Sequence, residues 1–516
     1  MKNISRNRFL NLFFFPFCIG SLSILSFAPF NFTFINFLLF PLLYLILLNI
    51  KKKSKSKYRK KPFLINCFSS GYFFGFGFFL FGNHWIANSL TFDDSFKILI
   101  PFSLILLPAL LALFYGIATM ISGHLINNTI SSVFMFSSIF SLVDYIRGKI
   151  LTGFPWNLWS YSFHWFDELI QITNIIGIYA FNLLTIIIFV FPVSIILKKS
   201  SIFKLSLPYL LFVFSLYIYG NYVLNISKEE MTRNSKNSQL NFKIISPSFD
   251  ITYGLGDEDV EKLIEKVIKF SEPKKSEKTI FVWPEGVFSG YYFRDLQKFK
   301  GMIQKNFSSK HIIVFGTNTY DEKQGKTYNS LIAIDKNFNK LYQYNKIRLV
   351  PFGEFLPAEN ILKKIGLKKI TEGHGSFSRG STFQNFLYDE YNILPTICYE
   401  LIFPEVFQES NKKTNIIVNI SEDGWFGDSI GPSQHFIKAK FRAIENNSFL
   451  IRSANKGYSA FLNNKGQVIK ILDPNEPGNI ELRIPALNNN FKNRNDLIFF
   501  ALLITYLVIF KRFRNE

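Results

Sequence analysis

The chain has 516 residues, of which 48% are hydrophobic, 18% aromatic and only 18% charged, and 58 Lys and Arg against 37 Asp and Glu leave a net charge of +21. This composition excludes intrinsic disorder, which requires few aromatics and low hydrophobicity, and three cysteines exclude a disulfide scaffold in so long a chain. Length allows about two to four domains, and a basic surplus in so apolar a chain fits either a nucleic-acid binder or a membrane protein, according to where the charges sit.

They sit between apolar runs. Stretches at about 9–29, 32–50, 63–82, 97–121, 129–147, 168–197 and 203–224 fill the N-terminal part, and one more covers 497–510. Roughly 20 helical residues cross a ~30 Å hydrocarbon core. The runs therefore read as about eight transmembrane helices: seven in a membrane domain over 1–225, and one in a C-terminal segment, 495–516, that ends in a basic tail. A signal peptide is a weaker reading of the first run, because no small-residue cleavage site precedes the next one.

Four basic clusters give the orientation. They are Lys2, Arg6 and Arg8; the eight basic residues from Lys51 to Lys61; Lys198, Lys199 and Lys204; and Lys511, Arg512 and Arg514. Eight crossings put all four on one side, which the positive-inside rule makes cytoplasmic. Both termini are then cytoplasmic, and 83–96, 148–167 and 225–496 lie outside. Trp85 and the Trp156–Trp165 stretch have an interfacial composition, and Asp144 with Arg147 is expected to pair near a helix end.

Residues 239–486 differ. Short β-rich runs at Phe242–Ser246, Thr279–Trp283, Ile312–Thr317, Ser330–Asp335, Ile393–Cys398, Asn415–Ile420, Phe449–Ser453 and Ser459–Leu462 alternate with amphipathic segments at Asp257–Phe270, Leu296–Phe307 and Ser433–Glu445. Within the first of these segments Val260, Leu263, Ile264, Val267 and Ile268 recur at helical spacing. Strands interleaved with helices predict a layered α/β domain, entered through the polar 228–239 linker.

Three residues of that block could carry chemistry. Cys18 and Cys67 belong to the apolar runs, so Cys398 is the one thiol in the exported block, in a compartment where cysteines normally pair. It ends the run Ile-Leu-Pro-Thr-Ile-Cys and precedes Tyr399 and Glu400. Glu285 ends another strand in Trp283-Pro284-Glu285-Gly286, where a carboxylate can serve as a general base. Lys346, in Tyr344-Asn345-Lys346, could favour a thiolate and stabilise an oxyanion. Each also has an ordinary reading on its own: a buried structural cysteine, a turn glutamate, a solvated lysine.

In this order, Glu, Lys and Cys at strand ends of an α/β domain resemble the nitrilase (carbon–nitrogen hydrolase) superfamily. Tyr-Asn-Lys-x-x-Leu-Val-Pro-Phe-Gly-Glu-x-x-Pro from Tyr344, Ile-Cys-Tyr-Glu at Cys398, and Trp-Phe-Gly-Asp-Ser-x-Gly-Pro-x-Gln-His from Trp425 to His435 look like the apolipoprotein N-acyltransferase family. Gly153-Phe154-Pro155-Trp156-Asn157 resembles that family's external loop. The resemblance implies eight membrane helices with a periplasmic nitrilase-like αββα domain, in a bacterial inner-membrane protein. It implies acyl transfer from a membrane phospholipid, through a Cys398 thioester, to the amine of diacylglyceryl-modified apolipoproteins. Glu285 would be the base and Lys346 the oxyanion stabiliser. Glu354 would orient Lys346, Glu400 would lie near the nucleophile, and Tyr399 and Trp425 would line the acyl path.

No cofactor is implied, and the six histidines show no paired metal-ligand motif. Some positions depart from the family pattern in the expected substrate loops: Ser246-Pro247-Ser248 stands where the family usually has Gln-x-Asn, the tryptophan that often follows shortly afterwards is missing, with Tyr253 the nearest aromatic to its place, and Glu422 stands where Asn is usual. The competing readings are a membrane-tethered amidase that uses water as acceptor, and a transporter or structural membrane protein with an exported binding domain. The latter predicts internal repeats and central intramembrane charges, which the sequence does not display.

Overall fold

A computed structural model describes residues 8–54, 60–197, 202–234, 239–252, 254–288, 290–362, 364, 369–370, 376–409, 414–486 and 495–513. Lys2, Arg6, Lys55, Lys57, Arg59, Lys198, Lys199, Tyr253 and Arg514, named above, lie outside the described residues. The chain divides into two compact units: Met1–Thr91 with Ser95–Leu224 and Asn493–Glu516, and Phe92–Asp94 with Asn225–Lys492.

The first unit is helical. Among the described residues, six helices are long and apolar enough to cross a membrane: Thr33–Lys53, Pro62–Leu90, Asp94–Leu125, Ile130–Lys149, Thr173–Leu197 and Lys204–Glu229. The first and last expected crossings correspond to shorter helices, Leu10–Ser26 and Asn495–Phe513. The C-terminal helix packs on Ile130–Lys149, where Phe499 stacks on Tyr145 at 5.0 Å and the Tyr145 hydroxyl donates to Asp496 at 3.1 Å.

Asp144 and Arg147 lie inside this unit and not at its rim, with side chains 0% and 1% exposed. Asp144 Oδ1 accepts from Arg147 at 3.0 Å and from the Tyr115 hydroxyl at 3.1 Å, and Oδ2 accepts from Asn182 at 3.0 Å. Arg147 also donates to the carbonyls of Phe154 and Asn157, which ties the loop to the helix. The loop tryptophans behave differently from their interfacial composition. Trp85, Trp156 and Trp159 are buried, and Trp165 alone among the four is exposed. Trp159 stacks on Phe78 at 4.4 Å and donates its indole N–H to Tyr115 at 2.9 Å, so the indoles fill the bundle and satisfy their polar edge within it.

The second unit is an α/β sandwich. Among the described residues its twelve strands are β1 (Gln239–Ser246), β2 (Thr279–Val282), β3 (His311–Asp321), β4 (Lys326–Ile334), β5 (Lys340–Asn345), β6 (Phe386–Tyr388), β7 (Tyr391–Ile397), β8 (Ile416–Glu422), β9 (Phe449–Asn455), β10 (Ser459–Leu462), β11 (Val468–Leu472) and β12 (Gly478–Pro485). They form two six-stranded sheets, ordered β12-β1-β2-β3-β4-β5 and β11-β10-β9-β8-β7-β6. The centres are parallel, β1–β2–β3 in one sheet and β7–β8–β9 in the other, and the outer pairs are antiparallel.

Phe242, Ile280, Val314 and Leu331 of the first sheet meet Ile393, Val418, Ile451 and Phe461 of the second in a shared core. The opposite face of the first sheet packs Phe281, Ile313 and Ile332 against Val260, Ile264 and Val267 of the helix Asp257–Ser271. The helix Gly431–Asn446 lies on the second sheet. Parallel strands buried on both faces carry continuous apolar runs, and ligands in such sheets bind beyond the carboxyl ends of the strands.

Replacing Asp144 by Ala strands a buried guanidinium, and breaking a buried pair in this way costs about 3–5 kcal/mol. Thermal unfolding in detergent is therefore expected at a clearly lower temperature for Asp144→Ala, with Asp144→Asn, which keeps an acceptor for Tyr115, in between. An unchanged midpoint for the alanine variant would remove this network from the interactions that hold the bundle.

Candidate active site

Four strands end at one place. β2 leads into Trp283-Pro284-Glu285-Gly286, β5 into Lys346, β7 into Cys398, and β8 ends at Glu422 next to Asp423. Gly286 has φ +79°, and a Cβ built on it would fall 2.6 Å from Glu422 Oε2, so the turn that presents Glu285 requires glycine both for its backbone and for space. Cys398 itself has φ +48°. The chain turns there, in one residue, from the end of β7 into the short helical turn Cys398–Ile402.

Glu285, Lys346 and Glu354 form a buried charged group. Lys346 Nζ lies 3.4 Å from Glu285 Oε1 and 3.0 Å from Glu354 Oε1. Asn329, on β4, donates from one nitrogen to both carboxylates, at 2.8 Å to Glu285 and 2.7 Å to Glu354. The free lone pairs are also occupied, Glu285 Oε2 by the Glu422 amide at 3.2 Å and Glu354 Oε2 by the Val350 amide at 2.8 Å. Burial works against the charge on Lys346, but Glu285 and Glu354 outweigh it and raise its pKa, so the ammonium persists.

Cys398 faces this group. Its thiol pKa is pushed upward, chiefly by burial and further by Glu285, with Lys346 pulling the other way. The thiol is therefore protonated at rest, and a carboxylate must take its proton before the sulfur can attack.

Of the other residues singled out by sequence, Glu354 contacts Lys346 as described. Glu400 joins the Cys398 turn to the lysine segment: Oε1 accepts from the Tyr344 hydroxyl at 2.8 Å and from the Ile347 and Arg348 amides at 2.8 and 3.1 Å, and Oε2 from the Ile397 amide at 2.9 Å. Tyr399 is half-buried with its ring 5.0 Å from Phe403, and Trp425 is half-buried in the turn Asp423–Phe426.

Sequence reasoning missed Asn329, which sits mid-strand in Tyr328-Asn329-Ser330 with no local pattern to mark it. It also left Asp423 and His435 without a role, although both stand in or beside a quoted motif. A Cys398 sulfur, an Asp423 oxygen and a His435 nitrogen lie within 4.8 Å of one another. This set does not suit a metal cation, because the Arg452 guanidinium already contacts Asp423 at 2.7 and 2.9 Å and His435 Nδ1 at 3.1 Å.

A buried carboxylate, lysine and thiol at the strand ends of an αββα sandwich define a carbon–nitrogen hydrolase-type site, and a family model described as carbon-nitrogen hydrolase matches residues 251–488. A second, described as the apolipoprotein N-acyltransferase N-terminal domain, matches residues 19–191. The apolipoprotein N-acyltransferase of Rhizobium etli (strain CIAT 652) is 30% identical over 483 residues, covering 92% of this chain and 90% of that protein. That of Rickettsia prowazekii (strain Madrid E) is 32% identical over 453 residues, covering 85% and 89%. The chain belongs to the apolipoprotein N-acyltransferase family. With the apolar helices above, it is a multi-pass membrane protein whose partners include bilayer lipid.

Since Glu285 adds to the upward pull on the Cys398 thiol, Glu285→Gln should move alkylation of Cys398 by iodoacetamide to lower pH while impairing any reaction that needs the base. Mass spectrometry of the Cys398 peptide between about pH 7 and pH 10 reads this. A profile that stays in place or moves to higher pH would contradict the electrostatics described.

Proposed function

We propose that the protein transfers a fatty acyl group from the sn-1 position of a membrane phospholipid to the α-amine of an S-diacylglyceryl-cysteine at the N-terminus of an apolipoprotein, by way of a thioester on Cys398. The observation that carries this reading is the buried Glu285–Lys346 ion pair facing a protonated thiol, in a chain of this family.

Glu285 takes the Cys398 proton, and the sulfur attacks the ester carbonyl. The carbon–sulfur bond forms, and the carbonyl oxygen takes up negative charge beside Lys346 and a backbone N–H at Tyr399. Collapse breaks the carbon–oxygen bond, and Glu285 returns its proton to the departing lysophospholipid oxygen. In the second half the acceptor amine attacks the thioester and gives a proton to Glu285. The carbon–nitrogen bond forms, the carbon–sulfur bond breaks, and the proton goes back to sulfur. Glu354 and Asn329 hold Lys346 and Glu285 in register through both halves, and Glu400 keeps the lysine segment against the nucleophile turn. Tyr399 and Trp425 border the acyl path.

The four basic clusters support a bacterial inner-membrane location with both termini cytoplasmic and the catalytic unit, 239–486, periplasmic. Both substrates are themselves lipid-anchored, so a membrane-held enzyme meets them already oriented.

Incubation of the purified protein with phospholipid in detergent should yield a hydroxylamine-labile acyl adduct on Cys398 and an equivalent of lysophospholipid. Addition of a diacylglyceryl lipopeptide should discharge the adduct onto its amine without free fatty acid. Cys398→Ala should lose at least about 10³-fold in activity. Release of fatty acid to water regardless of lipopeptide would establish a hydrolase instead, and full activity in Cys398→Ala would remove the thioester.

A further inference from the structure

Behind the nucleophile turn lies a buried polar relay that the reaction above does not use. His435, on the helix Gly431–Asn446, is completely buried. Its Nε2 lies 3.2 Å from the backbone carbonyl oxygen of Cys398, and its Nδ1 lies 3.0 Å from Asp423 Oδ1 and 3.1 Å from Arg452 Nη2. Asp423 in turn receives Arg452 at 2.9 and 2.7 Å and the Ser421 hydroxyl at 2.7 Å.

The partners decide where the ring proton sits. A carbonyl oxygen can only accept, so Nε2 must carry the hydrogen. At Nδ1 the Asp423 carboxylate, which can only accept, and the Arg452 guanidinium, which can only donate, pull in opposite directions. Burial and the adjacent guanidinium lower the His435 pKa, against the opposing pull of Asp423. Asp423 is kept well below the ordinary carboxylate range by Arg452 and His435 despite its burial.

We propose that His435 is a positioning residue: by donating its Nε2 hydrogen to the Cys398 carbonyl it fixes the plane of the Cys398–Tyr399 peptide, so that the Tyr399 N–H is aimed at the oxyanion. In a trans peptide the C=O and N–H point in opposite directions. The carbonyl points to His435 on the helix Gly431–Asn446, so the amide of the same peptide points away from that helix. A left-handed residue such as Cys398, at φ +48°, keeps its strained backbone only when neighbours impose it. A donor on the carbonyl also polarises the same peptide and strengthens its N–H. The inference rests on the reading of Cys398 as the acylated nucleophile.

The test uses the full-length enzyme in detergent, with His435→Gln and His435→Asn. The Gln amide nitrogen reaches close to the position of Nε2, whereas the Asn side chain stops at the position of Nδ1, where it can satisfy Arg452 but not the carbonyl. Single-turnover acylation of Cys398 by phospholipid is followed by quench and mass spectrometry. Complete loss of one oxyanion donor costs about 10²–10³-fold in rate, so a mis-aimed one in His435→Asn should slow acylation by at least about 10-fold relative to His435→Gln. KM for phospholipid should be unchanged, and His435→Gln should stay within about 5-fold of the wild type, with the same pH–rate profile.

Equal rates in the two variants would overturn the proposal. So would a folded His435→Gln slowed more than about 100-fold, or one whose profile lost a limb, since the latter makes His435 a proton carrier. Absence of an acyl adduct in the wild type would instead refute the nucleophile reading itself.

Discussion

Much of the catalytic unit is organised around one buried ammonium. Lys346 is 1% exposed and lies among carboxylates that are themselves withdrawn from water. Taking such charges out of solvent costs several kcal/mol per ion unless each lone pair and proton finds a partner. The partners found here come from four separate segments: Asn329 from β4, the Val350 amide with Glu354, the Glu422 amide at the end of β8, and Glu285. The demand explains features that would otherwise look unrelated. It brings the ends of strands from both sheets together, requires the one residue without a side chain after Glu285, and gives Glu400 four acceptor contacts in place of a single ion pair. It also means that this site is assembled only when the whole sandwich has folded.

The eight strands read from the sequence are β1–β4 and β7–β10, the ones buried inside the two sheets. The four that escaped, β5, β6, β11 and β12, are the edges. The reason is physical. A central strand is covered on both faces and flanked on both sides, so it shows as a run of β-branched and aromatic residues. Lys340–Asn345 mixes polar and aromatic residues along an open edge, whereas Val468–Leu472 is mostly apolar yet exposed at four of its five residues. The same division holds in the site. Glu285, Lys346 and Cys398 follow strands and stand out by position, whereas Asn329 and Arg452 project from within strands and become neighbours only through sheet register. Glu422 was noticed as an unusual residue, but nothing local announced that its amide would cap Glu285.

In the membrane unit, composition alone does not show which loop tryptophans are covered by protein. The tryptophan-rich loop has the residues of an interfacial belt, yet Trp156 and Trp159 are almost completely buried and their rings stack within the bundle. What draws them inward is the polar knot of Asp144, Arg147, Tyr115 and Asn182, which offers the Trp159 N–H a partner through Tyr115 and ties the loop backbone through Arg147. Without such a knot an indole at this depth would leave its donor unsatisfied.

Cys398 adopts a left-handed backbone that costs an ordinary L-residue roughly 1–2 kcal/mol. Serine or alanine at this position would carry the same burden, and glycine alone would be relieved of it. The resting fold therefore holds its only thiol outside the membrane unit at a local disadvantage that the surrounding hydrogen bonds must offset. Natural variation towards greater robustness at this point would lead away from reactivity, so a more stable descendant of this chain would have to gain its stability elsewhere.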